Sequence, residues 1–223
     1  PLPFKVTIKI EGRDVHIGVW KYNQIGLQGR VPVYFLDTDL PSNAPEDRLI
    51  TQFLYGGDNH TRICQEAVLG IGGCLALKRL EPGITTYHMN EGHAAFITLE
   101  RMADLIGEKH LSFNEAKEII RVSTLFTTHT PVAAGHDAFP ADLMDRYFSS
   151  YYPVLGITRE EFLGLGTHPD YPDSGFNMTV LAMRLTEHHN AVSVRHGEVT
   201  RDMWKCLWPG LPDEKIPIGS ITN

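Results

Sequence analysis

Apolar and polar residues alternate from Lys5 to Ile10 (KVTIKI), and Val15 to Trp20 repeats the pattern beyond the turn-like EGRD. Side chains on a strand point alternately to opposite faces, so both runs predict strands with one buried face. Val31 to Leu36 predicts another before the loop PSNAPED, and together they predict a β-rich opening meander. From Ile63 to Leu80 the spacing becomes helical, although Gly70, Gly72 and Gly73 weaken it and predict close packing against another backbone. Phe96, Leu99, Ala103 and Ile106 share one face of a predicted helix from Gly92 to Ile106, the pattern of a helix lying on a sheet. Ser112 with Glu115 and Thr158 with Glu161 have capping-box spacing, each ahead of a helical run. GLGTHPDYPDSG (Gly164 to Gly175) is a loop, Phe176–Leu185 and Glu198–Leu207 predict helices, and KIPIGSITN predicts a strand entering a further unit. His188 and His189 are expected on a solvated helix end. The fold class is therefore α/β, divided into a β-rich segment over 1–54 and an α/β portion over 55–223.

Two β-like runs, Thr85 to Met89 and Leu125 to Thr128, stop at polar clusters and hand over to predicted helices. The clusters, HMNEGH and THTPVAAGHD, put Glu91, His93, His129, His136 and Asp137 just past the carboxyl ends of strands. In an open α/β sheet those ends form the ligand crevice. Neither cluster contains Lys or Arg, so the groups suit sugar-like hydroxyls better than phosphates. The plainer alternative is that Asn90 or Glu91 caps the following helix and His93 is a hydrogen-bonded core histidine. Recurrence of such a cluster at two strand ends favours a site.

Zinc is a second alternative, since His88, Glu91, His93, His129 and His136 are all ligand types. Yet HxxExH lacks the i, i+4 histidine spacing that aligns two rings on one helical face. No GxSxG or phosphate-binding glycine loop occurs, and LGIGG at Leu69–Gly73 sits inside a helical pattern.

Composition narrows the rest. With 223 residues, 42% hydrophobic and 21% charged, the chain can bury a substantial core. A net charge of -7 without a basic cluster argues against nucleic acid, which needs phosphate-neutralising cations. No apolar run has the length of a membrane span and the first residues do not resemble a signal peptide, so a cytoplasmic protein is expected. Cys64, Cys74 and Cys206 form no CxxC pair, and read as buried thiols in a reducing compartment.

The blocks LYGGDNHTRICQEAVLGIGG, YHMNEGHAAFITLERM, LFTTHTPVAAGHDAFP, FNMTVLAMRL and NAVSVRHGEVTRDMW running to IPIGSITN resemble, in order, successive segments of the α-glucan phosphorylases, particularly the short bacterial and archaeal type. The resemblance implies an internal part of the N-terminal Rossmann-like lobe of a two-lobed glycosyltransferase of GT-B type. It implies phosphorolysis of a terminal α-1,4 bond, giving α-glucose 1-phosphate with retention. By the same resemblance His129 is the histidine at the glucose site, Glu91 and His93 line the acceptor side, Asp58 begins a gating loop and Asn223 is a sugar contact. Asp137 joins them as a carboxylate for the developing oxocarbenium. The implied partners are an α-1,4-glucan, inorganic phosphate and a C-terminal lobe absent from this chain; a homo-oligomer is compatible. Pyridoxal phosphate is implied in the parent enzyme, on a lysine that is not in this chain. Alternatives are a catalytically silent carbohydrate-binding or structural fragment, or a metal-dependent hydrolase. Two departures stand out: Glu91 replaces the aspartate common in animal members, and RICQE follows Asp58 sooner than in them, against an allosteric gate of their kind.

Overall fold

The computed structural model describes residues 1–54, 57–132 and 135–222. They form two compact units, Pro1–Pro82 and Gly83–Asn223. The first opens with β1 (Lys5–Ile10), β2 (Arg13–Gly26) and β3 (Gly29–Asp37), an antiparallel meander in the order β1-β2-β3. The β1–β2 hairpin turns on Glu11 (φ 48°) and Gly12 (φ 82°), the doubly left-handed pair that matches the twist of the strands it joins. Val6, Ile8, Ile10, Val15, Ile17 and Val19 form the buried face, as their alternation predicts. Arg13 fixes the loop after β3 through Asp47, with Nη2 2.7 Å from Oδ1 and Nε 3.0 Å from Oδ2.

The helical run ahead of Leu80 is α1 (Asn59–Ala67), a π-turn over Val68–Gly72 and α2 (Gly73–Leu80). A Cβ on Gly72 would meet Ile17 Cδ1 at 2.4 Å and Ile8 Cγ2 at 3.9 Å. Its glycine thus serves close approach to sheet side chains and not, as the sequence predicts, to another backbone.

The second unit alternates strand and helix. In chain order it contains β4 (Tyr87–Asn90), a 3-10 turn at Gly92–Ala94, α3 (Phe96–Lys109), α4 (Phe113–Val122), β5 (Thr124–Thr128), β6 (Ala138–Phe139), α5 (Ala141–Phe148), α6 (Tyr151–Leu155), α7 (Arg159–Gly166), β7 (Phe176–Asn177), α8 (Met178–Arg184), β8 (His188–Ala191), α9 (Val194–Trp204) and β9 (Ile218–Ser220). β4, β5, β8 and β9 form a parallel sheet in that order, and β6 pairs with β7 antiparallel. Parallel neighbours require long crossovers, which α3 and α4 supply between β4 and β5, and α9 between β8 and β9. Both expected capping boxes are present, at Ser112/Glu115 on α4 and Thr158/Glu161 on α7. Phe96, Phe148, Phe162 and Phe176 stack in sequence through the core, with centroids 4.3, 6.0 and 5.7 Å apart. The chain is thus mixed α/β with a parallel sheet.

His188 and His189 overturn their expectation: they begin β8, not a solvated helix end. His189 is buried, with Nδ1 3.0 Å from the Pro217 carbonyl and Nε2 3.0 Å from the Met183 carbonyl. The neutral ring has one N–H and donates to one of these carbonyls, Met183 nearby or Pro217 28 residues on, in place of water. Burial lowers its pKa, and the carbonyls oppose that shift.

Candidate functional site

β4 and β5 run in parallel with Asn90 opposite Thr127, so the chain leaves both strands at the same edge, one residue apart. Glu91 N–H still donates to the Thr127 carbonyl (2.9 Å), as the last rung of the ladder. Glu91 itself has φ 62° and ψ 171°. This is glycine territory, disfavoured for a side chain by about 1–3 kcal/mol and held only where the surroundings over-determine it.

What holds it is the neighbouring strand end. Glu91 Oε1 accepts from the His129 amide at 2.5 Å and from Thr130 Oγ1 at 2.9 Å, and Oε2 accepts more weakly from Thr128 Oγ1 at 3.4 Å. Neither the turn that follows nor α3 has a side-chain cap bond, so neither Asn90 nor Glu91 caps the helix, although His93 is hydrogen-bonded as the capping alternative expects. The His129 ring is held separately, with Nε2 3.2 Å from Asn90 Oδ1. An amide oxygen only accepts, so in this contact Nε2 is the donor.

One turn later His93 Nδ1 lies 3.1 Å from Asp137 Oδ2, each side chain 26% exposed, which ties the β4–α3 turn to the loop beyond β5. The Asp137 carbonyl accepts from Met178 N (3.0 Å), anchoring the start of α8. That start lies against Gly92, where a Cβ would stand 3.0 Å from Met178 Cβ and 3.1 Å from Thr179 N. Close approach explains this glycine.

Two further histidines support the edge from below. His88 Nε2 pairs with Thr127 Oγ1 at 2.7 Å, and burial lowers its pKa, with His129 adding to the shift. His136 is buried, its Nδ1 2.7 Å from Thr179 Oγ1 and its ring edge-on to Trp204 at 5.0 Å. Burial pushes its pKa down, with His93 and His196 pushing the same way, while Glu91 and Asp137 pull up. Among the described residues, no three of His88, Glu91, His93, His129 and His136 bring ligand atoms together as a metal group.

Glu91, His93, His129 and Asp137 are thus gathered at one sheet edge. Asp58 belongs to the first unit, where its exposed carboxylate caps α1 by accepting from Thr61 N (2.9 Å) and Oγ1 (3.0 Å), bonds that lower its pKa. Asn223 lies outside the described residues. Sequence reasoning missed Thr128, Thr130 and Thr179 as partners of Glu91 and His136; the threonine density of TTHT was the signal available.

The edge can present two carboxylates, imidazoles and hydroxyls to a polyhydroxyl ligand. No family model matches the chain. It is 42% identical over 221 residues to a maltodextrin phosphorylase of Thermococcus litoralis, taking in 99% of this chain and 25% of that protein. It is 41% identical over 207 residues to a glycogen phosphorylase of Mycobacterium tuberculosis (87% of this chain, 24% of that protein). Against a glycogen phosphorylase of Aquifex aeolicus it is 35% identical over 219 residues, 98% of this chain and 30% of that protein. The chain spans about a quarter to a third of the length of these relatives. It accordingly matches a segment of the maltodextrin and glycogen phosphorylases, as its motif blocks imply.

Proposed function

We propose that the chain is the sugar-binding wall of an α-1,4-glucan phosphorylase, lying in the N-terminal Rossmann-like lobe of a GT-B enzyme that releases α-glucose 1-phosphate with retention. In this reading the β-rich part over 1–54 and the α/β part over 55–223 belong to one lobe, and phosphate contacts come from a second lobe. The parent is a cytoplasmic enzyme, compatible with homo-oligomers; among the described residues no helix is long and apolar enough to cross a membrane.

The observation that carries this reading is the grip of Glu91 on His129. With its amide given to Glu91 and Nε2 donating to Asn90, His129 has its carbonyl, and Nδ1 of a neutral ring, as acceptors for a ligand. Acceptors suit sugar hydroxyls and the positive charge that develops at a glucosyl centre. His129 is thus the catalytic residue, Glu91 sets the negative potential and the geometry, and His93 and Asp137 are substrate contacts; for Asp58 and Asn223 a substrate contact rests on the family resemblance alone.

Pyridoxal phosphate does not fit the residues gathered here. An imine-forming lysine needs a desolvated pocket, whereas Lys5, Lys9, Lys21, Lys78, Lys109, Lys205 and Lys215 are exposed and the eighth, Lys117, lies on α4. The cofactor and its acid/base work belong to the parent's other lobe.

The test is glucose 1-phosphate release from maltoheptaose and phosphate by the polypeptide that carries this chain. His129→Ala removes contacts of about 2–4 kcal/mol in the transition state, a turnover loss of roughly 30- to 1,000-fold with the fold intact. Near-wild-type turnover in that variant, or no phosphorolysis by the folded parent, overturns the reading. A catalytically silent fragment is separated by the parent's own assay, where it predicts no phosphorolysis; the 223-residue chain alone is expected to be colourless with pyridoxal phosphate and inactive under either reading.

A further inference from the structure

We propose that His168, Asp170 and Cys206 form a binding site for a divalent zinc-class ion, clasping the loop before β7 to the turn that follows α9. The sequence predicts a loop over GLGTHPDYPDSG and a buried thiol at Cys206, which unlike Cys64 and Cys74 is only half-buried. The structure brings them together: one ligand atom of each of the three residues lies within 4.8 Å of the others. Cys206 Sγ is 3.7 Å from His168 Nε2, across 38 residues of chain. A tetrahedral zinc with arms of about 2.3 Å to sulfur and 2.0–2.1 Å to nitrogen sets that separation at about 3.6 Å. Two protein segments therefore already hold nitrogen and sulfur at the required span.

The donor set selects the ion. Thiolate with imidazole and one carboxylate favours zinc or cobalt over magnesium or calcium, which take oxygen alone. Charge balances too, since a thiolate and a carboxylate neutralise a dication beside a neutral ring. The nearby cation is Arg184, which acts on both Cys206 and His168 and whose guanidinium donates to the Gly164 carbonyl. His168 is buried between the rings of Tyr171 (5.0 Å) and Trp204 (5.6 Å), whereas Asp170 is exposed, which gives an ion a route in and a place for water as fourth ligand.

Loading displaces protons. Burial and Asp170 hold the Cys206 thiol protonated, and Asp170 N–H donates to His168 Nδ1 at 3.2 Å. When Nε2 takes the ion, the neutral ring must carry its proton on Nδ1 and give up that bond. The site therefore binds more weakly than a closed four-ligand zinc site, and its affinity rises with pH as the thiol ionises. Without an ion the same 3.7 Å serves an N–H···S hydrogen bond, which is the competing account.

Cobalt(II) titration of the reduced 223-residue chain separates the two. One equivalent is expected to give a thiolate-to-cobalt charge-transfer band that zinc abolishes, and zinc is expected to raise the melting temperature. Cys206→Ser should remove the band and weaken zinc binding at least tenfold, and His168→Gln should weaken it similarly. A Cys64→Ser/Cys74→Ser double variant should keep the band. Absence of the band in the folded wild-type chain, or its survival in Cys206→Ser, overturns the proposal and leaves the hydrogen-bonded pair.

Discussion

Replacing Glu91 by alanine and by glycine separates the two contributions that meet at this residue. The carboxylate receives two bonds shorter than 3 Å, from the His129 amide and Thr130 Oγ1. Charge-assisted bonds contribute about 1.5–3 kcal/mol each, and the exposure of His129 places them at the lower end, so either truncation removes about 3 kcal/mol. Alanine leaves the strained φ of 62° in place. Glycine releases about 1–3 kcal/mol of strain and returns roughly 0.5–1 kcal/mol to the entropy of the unfolded chain. Glu91→Gly should therefore be more stable than Glu91→Ala by about 1 kcal/mol, or about 2–4 °C in a domain of this size. Urea denaturation of both variants measures the gap, and hydrogen exchange at the His129 amide should lose protection in both. Should alanine equal or exceed glycine in stability while protection of that amide persists, Glu91 is neither strained nor a clamp, and the argument for its role fails.

Conservative changes at the same position should split stability from catalysis: Glu91→Gln keeps an oxygen for the His129 amide and stays the more stable, whereas Glu91→Asp falls about one methylene (~1.5 Å) short but keeps the charge, so phosphorolysis by the parent should suffer more in Gln. Comparable kinetic losses in the two would refute charge as the role. Gly92→Ala should destabilise the second unit by about 1–3 kcal/mol in urea titration, because the clash at 3.0–3.1 Å is with the Met178 and Thr179 backbone and Met178 Cβ, which cannot swing aside. His136, whose folded pKa lies below its ordinary value, contributes stability fully above about pH 6.5; as pH falls the unfolded chain takes up the proton first and that stability is lost, at most about 1.4 kcal/mol per pH unit. His136→Gln should flatten the fall in melting temperature between pH 7 and 5, and an unchanged slope would show that the ring is not buried neutral.

Local rules carried much of the sequence reading. The meander strands, the helical run to Leu80 and both capping boxes are set by neighbours within a few residues, and all formed. The polar clusters were legible because they interrupt strand-like runs, which locates residues without showing what they touch. His189 failed because HHNA has neither alternation nor apolar character; its place in a buried strand depends on carbonyls of Met183 and Pro217, the latter 28 residues away. Gly72 was legible as a close approach, but its neighbours, Ile8 and Ile17, are fixed only by how the helix lies on β1 and β2. The left-handed backbone of Glu91 had no sequence signal, since nothing in NEGH marks which residue takes the unusual φ.

The register of the sheet explains why that strain falls on Glu91. Parallel strands release their chains at the same edge, and with Asn90 opposite Thr127 the next residue must keep its amide on the Thr127 carbonyl while its side chain crosses to the neighbouring strand end. The left-handed φ accompanies both. Glycine would relieve the backbone but bring no carboxylate, and aspartate would fall short of an amide that glutamate reaches at 2.5 Å. The bonds that offset the strain also commit the His129 amide and draw Thr128 and Thr130 toward the carboxylate, so one residue fixes three consecutive positions of TTHT. An edge made this way is held in place before any ligand arrives, and under the proposed function its pre-organised acceptors need no reorganisation as positive charge develops.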